Sequence, residues 1–70
     1  MPQFDPDLVR TMRTALEEAM SRVPSDLATI STKALLAECI LKAAAQGHTN
    51  YAELVTAATD HIQAIASLLS

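Results

Sequence analysis

Three kinds of side chain in this sequence could do chemistry: the imidazoles of His48 and His61, the thiol of Cys39, and a scatter of carboxylates. A zinc centre would need three or four ligands at recognisable spacing. Cys39, His48 and His61 fit no such pattern, so no metal site is expected. A nucleophilic thiol needs a neighbouring base and a setting that favours the thiolate. Cys39 instead falls among Leu36, Ile40 and Ala43 at helical spacing, which reads as a small buried hydrophobe. Glu17 and Glu18 are adjacent and so project about 100° apart on a helix, with Arg13 and Arg22 close by. That pattern is a solvated charged face, as are the isolated Glu38, Glu53 and Asp60, and nothing there implies a shifted pKa. The expectation is no catalytic residue, no cofactor and no enzyme activity.

The two histidines have different settings. His48 follows Gly47 in a turn, where a positive charge would sit favourably at a helix C-terminus. His61 falls among Leu54, Ile65 and Leu68, which reads as a contact-surface or core histidine with one hydrogen bond satisfied. A pH-sensitive role is the sharper alternative for it.

Three helices must position these groups, at about 6–23, 32–46 and 50–68. The first opens at Asp5-Pro6, an N-cap followed by a proline that needs no intrahelical N–H bond. Pro24 stops it. Leu8, Val9, Met12, Ala15, Leu16, Ala19, Met20 and Val23 fill one arc about 140° wide, and Glu18 and Arg22 form an i,i+4 pair opposite. Residues 24–31 read as a loop with one helical turn near Asp26-Leu27-Ala28, under which Leu27 and Ile30 tuck. Ser31 or Thr32 caps the second helix, and Gly47 takes the left-handed position after it. Leu36, Cys39, Ile40 and Ala43 form its main apolar stripe. Ala34, Ala37, Leu41 and Ala45 give it a second one, suiting a central helix or a helix that meets a partner. In the third, Asn50 caps and Glu53 reaches back, a variant of the capping box. Apolar residues from Tyr51 to Leu69 then cover an arc about 200° wide, broader than one groove between two helices hides. No sustained heptad, repeat or strand-like alternation is present.

Seventy residues allow one all-α domain, 1–70, a compact three-helix unit. Half of the residues are hydrophobic, but thirteen of those are Ala. Burial of about 6,600 Å², some 60% apolar, contributes on the order of 100 kcal/mol. Ordering the chain costs about the same. With one Cys there is no intrachain disulfide, so association is the remaining common source of stability. The expected interface takes Leu54, His61, Ile62, Ile65, Leu68 and Leu69 from the third helix, with Ala34, Ala37 and Leu41 from the second.

Charge narrows the function classes. The net charge is −3, and Arg10, Arg13, Arg22, Lys33 and Lys42 are the only cations, none of them in the last 28 residues. Nucleic-acid and anionic-membrane surfaces both call for clustered Lys/Arg. Asp5 and Asp7 stand where a signal peptide is basic, and no segment reaches 18 apolar residues, so a cytoplasmic location with no membrane span is expected.

Two resemblances bear on function. The stretch Ile40-Leu41-Lys42-Ala43-Ala44-Ala45-Gln46-Gly47-His48-Thr49-Asn50-Tyr51-Ala52-Glu53-Leu54 resembles the opening of a winged helix-turn-helix, which implies a nucleic-acid-binding regulator. The third helix lacks the Arg and Lys such a reading helix carries, and no wing follows. The stretch Lys33-Ala34-Leu35-Leu36-Ala37-Glu38-Cys39-Ile40-Leu41-Lys42-Ala43-Ala44-Ala45-Gln46-Gly47, with its flanking helices, resembles short uncharacterised all-helical proteins of α-proteobacteria. That resemblance implies a bacterial cytoplasmic protein and transfers no site residues. The reading from the residues is a non-catalytic protein–protein interaction or self-association module, a homodimer or the partner of another helical protein. The alternatives are a degenerate helix-turn-helix regulator and a carrier of a small apolar ligand, held between helices 2 and 3 by Met, Leu and Ile.

Overall fold

A computed structural model describes residues 5–69, and within the last helix the side chains of residues 65, 66, 68 and 69 lie outside what it describes. The order is α1 (Pro6–Ser21), a 3-10 turn (Ser25–Leu27), α2 (Ile30–Ala45) and α3 (Tyr51–Leu69). Asp5 is extended and its Oδ1 accepts the Leu8 N–H at 2.7 Å, while Pro6 takes the first helical position. At the other end the Arg22 N–H donates to Ala19 O and the Val23 N–H to Met20 O, tightening the last turn. Regular helix therefore stops at Ser21 rather than at 23, because Pro24 steers the residue before it out of the α region. Val23 is still buried.

The helical turn expected in the connection is the 3-10 turn, closed by the Leu27 N–H on Pro24 O at 2.9 Å. Leu27 packs against the core as expected. Ile30 does not: it is 88% exposed. The cause is the cap. Thr29, not Ser31 or Thr32, ends the connection, its Oγ1 accepting the Thr32 N–H at 3.2 Å. This starts α2 at Ile30, so Ile30 joins the helix about 130° round from its core-facing side and points outward, while Thr32 points inward. Thr32 is buried, and its hydroxyl meets Thr29 Oγ1 at 3.2 Å.

Gly47, at φ +102°, closes α2 in the conformation that favours glycine. The His48 N–H donates to Ala43 O and the Gly47 N–H to Ala44 O, the pair of bonds that defines a Schellman motif. Asn50 then caps α3, its Oδ1 accepting the Ala52 N–H at 2.8 Å.

All three helices pack on one another, so α2 is not a central helix with α1 and α3 on its flanks. The core takes Met12, Ala15, Ala19 and Val23 from α1, Leu36, Ile40, Ala43 and Ala44 from α2, and Leu54, Val55 and Ala58 from α3. The alanines let backbones approach closely, while Leu36, Ile40 and Leu54 supply most of the volume. Each of those three side chains contributes about 1.5–3 kcal/mol by leaving water.

Candidate functional site

The expected interface divides in three. Leu54 is completely buried in the chain's own core, so it is not available to a partner. The reason is geometric: α3 packs against both α1 and α2, and two neighbours hide a wider arc than one groove does. Ile62 packs against the edge of that core and His61 is half-buried. Ile65, Leu68 and Leu69 fall outside the described side chains. Ala34, Ala37 and Leu41 form the third group, and here the surface is open.

Ile30, Ala34, Ala37, Leu41 and Ala45 lie within about 80° of one another around α2. Ala37 is half-buried, while Ala34 and Ala45 are exposed and Leu41 is 47% exposed. With Ile30 they make a continuous apolar stripe along the whole helix, about 130° from the direction that faces the core. Beside it runs a groove between α1 and α2 of about 230 Å³, lined by Val9, Met12, Arg13, Leu16, Ala37, Ile40 and Leu41. Arg13 is its only charged group. Val9 keeps 39% of its surface exposed. The second apolar side of α2 was legible in the sequence. Val9, Arg13 and Ile30 were not, because α1 shows a single arc in sequence and only packing decides which edge of that arc stays open.

Among the described residues, no three His, Cys, Asp or Glu side chains come together in a way that would hold a metal ion. Cys39 is half-buried; burial pushes its thiol above the ordinary value, Lys42 pulls it back, and Glu38 adds to the rise. That environment disfavours the thiolate. His48 Nδ1 pairs with Glu53 Oε2 at 2.7 Å, with half of each side chain in solvent. Glu53 therefore reaches past the Asn50 cap to the preceding turn instead of closing a capping box. The ion pair Glu18–Arg22 forms at 2.9 Å, and Glu38–Lys42 at 3.3 Å.

A cleft of about 370 Å³ between α2 and α3 is lined by Ala43, His48, Ala52, Glu53, Thr56, Ala57 and Asp60. Its walls are Ala, Thr, His and carboxylates rather than the Met, Leu and Ile expected of a ligand gap, because Leu36, Ile40 and Leu54 are spent in the core. α2, the glycine turn and α3 do follow the order of a helix-turn-helix, but α3 carries no Lys or Arg. No described helix is long and apolar enough to cross a membrane.

Compared with family models, with curated proteins and with solved structures, the chain finds no match in any of the three.

Proposed function

We propose that this chain is a non-catalytic self-association module, a bacterial cytoplasmic protein that works as a homodimer. Its contact surface is the α2 stripe and the adjoining α1/α2 groove. The observation that carries this reading is Leu41: a large aliphatic side chain nearly half exposed, at the centre of an apolar stripe and on the lip of an apolar groove. Monomer energetics support it too, since a small core in which five of the eleven buried residues are alanine leaves little margin.

Leu41→Lys tests the reading. The substitution should weaken self-association at least tenfold, as the loss of a central apolar anchor does. At concentrations where the dimer still forms, helix content should be unchanged, because Leu41 lies outside the core. Sedimentation velocity reads the first and circular dichroism the second. Equal masses for variant and parent would refute the reading.

A further inference from the structure

The α2 stripe follows a particular rhythm. From Ile30 the steps to Ala34, Ala37 and Leu41 are four, three and four residues, the alternation of a short coiled-coil seam. Ala34 and Ala37 carry nothing beyond Cβ, so a second helix can come to about 8 Å, the close end of helix packing. The edges of the seam carry opposite charge. Lys33 lies on the edge nearer α1, and Arg13 lines the groove on that same side. Glu38 lies on the other edge. Glu17 follows Arg13 by one helical turn, about 40° further round α1, and is not among the residues that line the groove. Lys33 and Arg13 are in no ion pair among the described residues, whereas Glu38 holds Lys42 loosely at 3.3 Å, both largely in solvent.

We infer that two copies of this chain pair through α2 in parallel about a two-fold axis, with Lys33 of each copy meeting Glu38 of the other. The inference rests on the self-association reading above and specifies its geometry. Lys33 and Glu38 are five residues apart, the separation at which flanking side chains of parallel paired helices reach across the seam. Two-fold symmetry forms the contact twice. Across the same seam, Glu38 of one copy also comes opposite Arg13, which shares the groove with Ala37 and Leu41 of its own chain. An antiparallel pair would set each Lys33 and Arg13 edge against its own copy, bringing like charges together, so charge selects the parallel arrangement. A second copy is the occupant because this one surface supplies both the basic and the acidic edge.

Charge reversal and mixing provide the test, read by sedimentation velocity on the full chain. Lys33→Glu alone and Glu38→Lys alone should each weaken the dimer about fivefold or more, since each variant faces itself with two like-charged pairs. An equimolar mixture of the two should recover parental affinity, because the heterodimer pairs opposite charges at both contacts, one native and one reversed. Circular dichroism of each variant checks that the helices are intact. A parental dimer that neither variant weakens, or a mixture no tighter than its components, overturns the parallel seam while leaving self-association standing. A parent that stays monomeric removes both.

Discussion

Gly47 makes the sharpest demand of any single residue. At φ +102° it turns the chain so that the Gly47 and His48 N–H groups can close α2 and α3 can fold back. A Cβ placed there would touch nothing within 4 Å, so the cost of Gly47→Ala is backbone strain alone. The expected loss is about 1–2 kcal/mol, which in a domain of this size lowers the melting temperature by roughly 4–16 °C. A melt within a degree of the parent's would show that the turn relaxes. Cys39 makes the second residue-scale case. Burial raises its pKa in the folded chain, so the neutral thiol is favoured by folding. Its contribution to stability is therefore complete below the unfolded-state pKa and is lost as pH rises through the raised value. At neutral pH the folded chain should alkylate more slowly than the same thiol in denaturant, with the rates converging once the chain unfolds. A folded-state rate equal to the denatured one would contradict the buried, protonated thiol.

At the scale of elements, capping decided what the sequence could disclose. Asp5-Pro6 permits one start, and α1 begins where those residues dictate. Thr29, Ser31 and Thr32 are all competent caps, and sequence alone does not separate them. The structure separates them: Thr29 Oγ1 accepts the Thr32 N–H, which places Ser31 and Thr32 inside the helix, where Thr32 is buried on the same face as Leu36. The end of α2 was plain because a glycine after a helical run has one obvious use. The same capping bonds give a stability prediction. Asp5→Ala and Thr29→Ala should each cost about 1 kcal/mol in denaturant unfolding. Thr29→Ser, which keeps the acceptor, should cost less than Thr29→Ala, and equal losses would count against the capping role. Exposed pairs such as His48–Glu53 should matter much less, being half in solvent.

For the whole molecule, three helices and their apolar faces were readable from 3.6-residue periodicity, since that pattern depends only on which side of each helix is apolar. How the faces share one another was not readable. The broad arc of α3 implied surplus apolar surface on that helix; of that arc Leu54, Val55 and Ala58 are buried in the core and Tyr51 is exposed, while Ile65, Leu68 and Leu69 fall outside the described side chains. Among the described residues the surplus lies mainly on α2, where Ile30, Leu35 and Leu41 are exposed, with Val9 beside Leu41 on α1. A triangular bundle accounts for this: each helix meets two others, so the part of the α3 arc around Leu54 and Ala58 is covered while α2, with two narrow stripes, keeps one free. The candidate surface thus follows from which helix the bundle leaves partly uncovered.

Self-association through that uncovered stripe is the central claim, and the mass of the native chain in solution addresses it most directly. Sedimentation velocity over roughly 1–100 µM spans the affinities expected of a small helical dimer. The account predicts a species of twice the 7.5 kDa chain mass at the upper concentrations, dissociating on dilution. A single 7.5 kDa species across the whole range, with the helices folded, would contradict it.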